Sequence, residues 1–579
     1  MKRRGLPSDY DLFGAETGSV KKKWKNHLPV ALVFPNSYQL GMSNLGFQLV
    51  YRLLNLSDHL VCERVFLPAT PGQRPVSIES GRPLTDFSII FFSISFEQDF
   101  PNIATILNSS SIKPMASDRD IERPLGQGAP LIAGGGVATF INPEPLALFF
   151  DFFVVGEAES VLTTMMETIL HRWSQGRVDD LLRELATLGH CYAPAFYQEE
   201  IGLDGSYQGL RPAAGLPKRV RKAVAGPSET VGHSTILTPD TEFADIFLTE
   251  LGRGCSRGCR FCAAGYVYRP PRLWSAKAII QAIDQRPKGK SKVGLLGMEM
   301  AHSEELHQVA SHLLEQGCGL SFSSLRADRI DQTIVDLLIN SGRKSAAIAP
   351  DGGSERLRRV ISKNISEQEI LTASQALVEA GIRNLKLYFM IGLPTETMED
   401  LEEMIGLIKR VHTLAASIGR PRGWLTEITL SINSFVPKAW TPFQFHGFTP
   451  VKELKGRIKF LRKQLAGIKN LKISMDNPDR AFFQATLARG DRSLSSLLLE
   501  VSHSQGNWRQ LCKHLGLEPE QFACQERPRD EIFPWEIIDH GLNRNYLWSE
   551  YQAALKSEPS KGCRINDLEK CKICGVCDG

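Results

Sequence analysis

The chain contains no apolar run approaching the ~18 residues that a membrane-spanning helix needs; its most apolar piece, residues 87–96, has the length of a strand. The opening segment MKRRGLPSDYD puts charge ahead of no apolar stretch, so no secretory signal is expected. Neither sign of charge dominates: 68 basic side chains against 64 acidic ones leave a net +4, too balanced to mark a nucleic-acid binder by itself. Basic clusters at residues 2–4, 21–25 and 218–222 read first as solvated tail or linker charge, with an RNA contact as the sharper alternative. These absences leave a globular, cytoplasmic protein with no membrane partner as the expectation, and 42% hydrophobic with 23% charged residues agrees with it. A length of 579 residues asks for roughly three or four domains.

Twelve cysteines in such a chain point to metal ligands rather than disulfides. Seven fall in two tight groups, and the other five, Cys62, Cys191, Cys318, Cys512 and Cys524, read as ordinary buried thiols. The first group lies in residues 251–272, LGRGCSRGCRFCAAGYVYRPPR, directly after an apolar segment. Cys255, Cys259 and Cys262 form a C-x-x-x-C-x-x-C triplet. Three thiolates this close can wrap three corners of a four-iron, four-sulfur cube and leave its last iron open to a non-protein ligand. Gly254 and Gly258 let the backbone bend tightly around it, and Arg253, Arg257 and Arg260 are expected to offset the negative charge. A zinc knuckle is the alternative, but zinc usually wants a fourth ligand nearby, and no His or Cys lies between Cys262 and His302.

Ahead of this group, a polar tail (1–25) precedes four expected strands at residues 29–34, 87–96, 130–133 and 149–155. Strands alternating with helices predict a doubly wound parallel sheet over 26–165, with ligands bound beyond the carboxyl ends of its strands. Residues 166–240 read as a connector. From 241 to 447 a strand-then-helix pattern recurs, with strands at 243–251, 293–297, 320–326, 345–350, 384–391 and 427–436. That predicts a partial (β/α)6 TIM-like barrel whose site lies at the carboxyl ends of the strands. Ser366 with Glu369 and Thr397 with Asp400 predict capped helices between them. Residues 448–579 are expected to be mostly helical and to end in a Cys-rich tail.

The triplet's spacing resembles that of the radical S-adenosylmethionine (SAM) enzymes, whose open iron binds the amino and carboxylate groups of that cofactor. The resemblance assigns cofactor-binding parts to the following strand ends. Gly297-Met298-Glu299 stands where the family has a Gly-Gly-Glu-like motif for the SAM ammonium. Ser324 and Arg326 would reach the ribose or carboxylate, and Gly392 and Leu393 would present backbone to the adenine. The strings YQLGMSNLG, INPEPLALFFDFFVVGEAE, RGCSRGCRFCAAGYVYRPPR and APDGGSERLRRVISKNIS look like a bacterial family of radical SAM proteins with a cobalamin-binding-like amino-terminal domain. In that domain a D-x-H-x-x-G loop supplies a His to cobalt. Here the loop reads Asn36-x-Tyr38-x-x-Gly41, which excludes His ligation and favours a domain that kept the fold without the corrin. The glycines at 134–136 either admit a corrin tail or make a tight turn.

Cys563, Cys571, Cys574 and Cys577 place four thiols within 15 residues, enough for a second four-iron cluster or a tetrahedral zinc site. The C-x-x-C-x-x-C spacing leans toward iron; a tail stapled without metal is the remaining reading. The implied function is reductive cleavage of SAM to a 5′-deoxyadenosyl radical that modifies an unknown substrate. RNA or protein modification, cobalamin-dependent methylation and methylthiolation are the options within it. A flavodoxin or ferredoxin is the expected electron donor. A non-catalytic iron–sulfur protein for electron transfer or redox sensing is the alternative, and the cofactor-like strand ends count against it.

Overall fold

In Leu28–Phe34 (LPVALVF, β1) nearly every residue is buried, as expected of a strand covered by helices on both sheet faces. It sits between β2 (Leu60–Phe66) and β3 (Ile89–Ser93), and β4 (Leu131–Gly135) and β5 (Phe152–Val154) follow, all parallel. The order β2-β1-β3-β4-β5-β6 is that of a doubly wound sheet. Its last strand, β6 (Cys191–Tyr192), is antiparallel and pairs Tyr192 with Phe153. This unit therefore runs past the expected boundary at 165. The helices Leu162–Trp173 and Val178–Thr187 belong to it, and a two-residue strand carries no period to read. The computed structural model describes residues 11–203, 206–226, 231–244, 246–297, 303–322, 325–503, 507–563 and 565–577.

The second unit is an open barrel. Strands β7 (Phe247–Glu250), β8 (Lys292–Leu296) and β9 (Gly319–Phe322) lie parallel. A second parallel group holds β10 (Ser345–Asp351), β11 (Asn384–Ile391), β12 (Glu427–Ser434) and β13 (Leu471–Met475). A parallel bridge between Leu325 and Ile348 joins the two groups. The first six strands are the ones the sequence predicts. The seventh, β13, lies in the region read as helical: none of its residues is fully buried, so it shows no apolar run. Ser366 and Glu369 close their reciprocal cap, the Ser366 N–H donating to Glu369 at 2.7 Å, and Asp400 accepts from the Thr397 N–H at 2.8 Å. Leu401, Met404, Ile405 and Ile408 form the buried stripe of the helix Met398–Gly419.

The carboxyl-terminal helices pack on both units: Val451–Leu465 lies on the barrel helix Met398–Gly419, and the following ones reach the first unit. The helix Leu494–His503 lies against Phe100–Ser109, and Arg492 pairs with buried Glu144 at 2.9 Å while the Tyr192 hydroxyl donates to the same carboxylate at 2.6 Å. The segment 489–492 is thus a buried anchor rather than a solvated turn. Among the described residues no helix is long and apolar enough to cross a membrane.

Candidate cluster and cofactor site

Leu251 donates its N–H to Leu296 at 2.7 Å, and Gly252–Arg253 then pairs antiparallel with Arg272–Leu273, pinching residues 254–271 into a closed loop. Gly254 has φ +82°, and a Cβ there would stand 2.6 Å from the Tyr268 carbonyl oxygen, so only glycine fits. Gly258 also has positive φ, +72°. The Cys262 N–H donates to the Cys259 carbonyl at 3.1 Å, and a short helix, Ala264–Val267, follows. This folding turns Cys255, Cys259 and Cys262 into one cavity of about 930 Å³ at the carboxyl ends of the barrel strands.

The opposite walls come from alternation. On β11 the buried Leu385, Leu387 and Ile391 face the helices, while Lys386, Tyr388 and Met390 take the other face and line the cavity together with Phe389. Asn433, Arg326, Asp351 and Lys363 complete its polar wall. Lys363 pairs with Asp351 at 2.6 Å; Arg326 pairs with Asp328 at 2.9 Å and donates to the Lys363 carbonyl at 2.8 Å. Asp351 is held at φ +62°, a backbone state a non-glycine residue enters at a cost and one that recurs at functional sites. Burial pushes the Cys259 thiol up, against the pull of Lys363 and Arg326; burial and the neighbouring Cys259 push Cys262 up to about 11.

The positive charge beside the thiols thus comes from Arg326 and Lys363, with Arg257 on the cavity wall, and not from the whole arginine set of the loop. Arg253 reaches away to Glu157 (3.1 Å), Glu159 (2.6 Å) and Glu250 (3.1 Å). Arg260, fully buried, pairs with Glu550 at 3.0 Å. Sequence reasoning gave Lys363 no role because it enters from a loop about a hundred positions after the cysteines. Replacing Lys363 by Met removes a cation from the cluster's surroundings, which disfavours the more negative, reduced state. The expected result is a lower midpoint potential for the barrel cluster in an EPR-monitored redox titration.

Of the other expected cofactor contacts, Gly297 lines the cavity, whereas Met298, Glu299 and Ser324 lie outside the described residues. Gly392 and Leu393 are not among its walls. The Gly392 N–H donates to Glu396 at 3.0 Å, its carbonyl accepts from Thr449 at 3.2 Å, and Leu393 is buried. Their backbone is spent on the turn, and Tyr388, Met390 and Asn433 occupy the place facing the cavity. Among the described residues no three of His, Cys, Asp and Glu converge as one metal ion would require. A cubane attaches each thiolate to a separate iron and so asks for a wider ring of sulfurs. Three cysteines around one cation-lined cavity fit such a cluster.

A family model described as "Radical SAM superfamily" matches residues 249–408, and one described as "Radical SAM proteins, N-terminal" matches 46–194, together more than half of the chain. The chain is a radical SAM enzyme. A four-iron cluster and SAM are the cofactors of that superfamily. The uncharacterized protein MJ0966 of Methanocaldococcus jannaschii is 28% identical to the enzyme over 474 residues, covering 81% of this chain and 90% of its own. Threonylcarbamoyladenosine tRNA methylthiotransferase MtaB of Aquifex aeolicus is 24% identical over 215 residues, 34% of this chain and about half (51%) of its own. OxsB, a cobalamin-dependent SAM radical enzyme solved with aqua-cobalamin and SAM bound, aligns over 92% of this chain and 80% of its own, with 13% identity and a TM-score of 0.45.

The enzyme's amino-terminal sheet does not present a cobalt ligand from the loop after β1. Tyr38 is buried and its hydroxyl donates to Glu16 at 2.7 Å. Gly134 and Gly136 are required by close packing: a Cβ on Gly134 would meet the Phe153 ring at 2.7 Å, and one on Gly136, at φ +105°, the Ile94 carbonyl at 2.5 Å, whereas Gly135 meets nothing closer than 3.8 Å and, with Gly136, opens onto a cavity beside the sheet. These residues do not fit a His-ligated corrin. What the sheet does build is a second cavity of about 570 Å³ against the barrel, walled by Leu49, Phe91, Gly135, Phe140, Tyr268 and Arg253. Leu296 and Gly297 belong to the walls of both cavities.

Proposed function

We propose that the enzyme cleaves SAM reductively at a cluster held by Cys255, Cys259 and Cys262 and applies the radical to a group that enters from the cavity between sheet and barrel. The shared wall at Leu296 and Gly297 carries this reading, because it sets the substrate space directly beside the cluster space. The cofactors supply an electron and a 5′-deoxyadenosyl radical able to take a hydrogen atom; the chain supplies position and the exclusion of water. Lys363 and Arg326 balance the thiolates. Lys386, Tyr388 and Asn433 offer polar contacts along the SAM space, and the apolar wall of Leu49, Phe91 and Phe140 receives the substrate group.

A cavity of this size accommodates one base or one side chain, so an RNA or protein substrate would offer a single group at a time, and a small molecule would fit the same space. A flavodoxin or ferredoxin is the partner that delivers the electron. Reduced enzyme with SAM is expected to release deoxyadenosine faster when given an RNA or protein fraction, and the Leu49→Trp variant, which fills the cavity, to lose that stimulation. Stimulation that survives Leu49→Trp unchanged would contradict the assignment of the substrate space.

A further inference from the structure

The four thiols at 563–577 stand apart from the barrel cavity, yet the chain folds them against the loop that forms it. The Cys563 N–H donates to the Ser256 carbonyl at 2.7 Å, inside the Cys255–Cys259 turn. Gly562 passes so close that a Cβ there would lie 2.9 Å from the same oxygen. On the other side the Asn543 N–H donates to the Cys574 carbonyl at 2.8 Å, and Gly575, at φ +91°, turns the C-x-x-C-x-x-C segment against Gly541. Cys571 and Cys574 are buried, Cys563 and Cys577 half-buried, and Cys563 lies within electrostatic reach of the other three. None of these residues is among the walls of the barrel cavity.

Between the two thiol groups lies Arg269, 2% exposed. Its Nε donates to the Gly265 carbonyl at 3.0 Å, its Nη1 to the Tyr546 hydroxyl at 3.2 Å, and its guanidinium covers the Tyr266 ring at 4.5 Å. Its Nη2 has no hydrogen-bond partner, and no carboxylate pairs with it, among the described residues. That nitrogen lies 3.9 Å from where a Cβ on Gly258 would stand, and the guanidinium is within reach of Cys574. A buried cation without an anion is costly, and an anionic metal–thiolate centre at the tail would satisfy it.

We propose that Cys563, Cys571, Cys574 and Cys577 hold a second four-iron cluster, with Arg269 as its charge partner, and that this cluster is the entry point for the electron consumed at the barrel. The inference rests on the proposed SAM cleavage for its role, but its metal site stands independently. A low-potential flavin or iron–sulfur carrier gives up one electron to the tail cluster. That electron passes across the Ser256–Gly258 turn to the barrel cluster and on to the sulfonium, whose carbon–sulfur bond breaks. The carrier is oxidised by one electron for each bond broken.

Anaerobic reconstitution of the full chain tests it. Wild type is expected to carry about eight irons, and the Cys255→Ala/Cys259→Ala/Cys262→Ala variant to keep about four, with a reduced-state EPR signal that ignores added SAM. Arg269→Gln should lower the midpoint potential of that signal. In Cys571→Ala/Cys574→Ala, about four irons should remain at the barrel as a control for folding, and reduction of that cluster by reduced flavodoxin should slow severalfold relative to reduction by dithionite. No iron in the triple variant, or one zinc per chain in its place, would overturn the site. Unslowed reduction by flavodoxin would overturn the relay. Each readout is metal content, potential or electron transfer, so a failure of SAM cleavage would not be mistaken for a failure of the tail site.

Discussion

Reduced Cys259→Ala enzyme is expected to release no 5′-deoxyadenosine from SAM above the background of the reductant, while its circular dichroism stays that of wild type. Cys259 is the middle cysteine of the triplet, and its surroundings bring both Lys363 and Arg326 to bear on its sulfur. Losing it leaves two thiolates for a cube that needs three, so the cluster is lost or reduced to a three-iron form with no site for SAM. The fold survives because the loop is held by other bonds: its carbonyl still accepts from the Cys262 N–H, and Arg260 still ties the neighbouring backbone to Glu550. Liquid chromatography of quenched anaerobic assays reads the product directly. Wild-type amounts of deoxyadenosine from the variant would remove the triplet from the chemistry.

The second large effect concerns stability. Glu157→Ala should cost about 3–5 kcal/mol, the range for removing one partner of a buried ion pair. Glu157 leaves the first unit just after β5 and reaches the barrel. It accepts from Arg272 at 2.5 Å, from Arg253 at 3.1 Å and from the Ala225 N–H at 3.1 Å. Its side chain is 4% exposed, so solvent screens little of this. Burial alone would raise its carboxyl, but the hydrogen bond and charge of Arg272, with Arg253 behind it, hold it below the ordinary range. A depressed carboxyl contributes stability above its unfolded pKa and loses it as pH falls through the folded value. Glu157→Ala should therefore flatten the acid limb of the denaturation profile as well as lower the urea midpoint. The double variant with Arg272→Ala should lose less than the two single losses added together, because neither charge is then left buried alone.

This clamp shows what the sequence could and could not display. The segment VVGEAE is visible as a strand exit, but the arginine partners of Glu157 lie 96 and 115 positions further on, and no local pattern links them. The cysteine triplet was legible as a group because its three thiols fall within eight residues, and the first six barrel strands because their outward faces are continuous apolar series. The seventh strand, half exposed at the sheet edge, has no such series. Arg253 and Arg260 looked like charge partners of the cluster by proximity in sequence. The backbone turns them away from the cluster cavity, and Arg326 from a strand end and Lys363 from a loop take the place. Gly392 was expected to present backbone to the adenine, and the acceptor and donor that engage that backbone instead, Glu396 and Thr449, are not visible in the local sequence.

The most direct measurement is the EPR spectrum of the reduced barrel cluster in Cys571→Ala/Cys574→Ala enzyme, recorded with and without SAM. A cluster with one iron open inside the barrel cavity must change its spectrum when the cofactor binds that iron, and that change is the expected result. An identical spectrum at saturating SAM would contradict it.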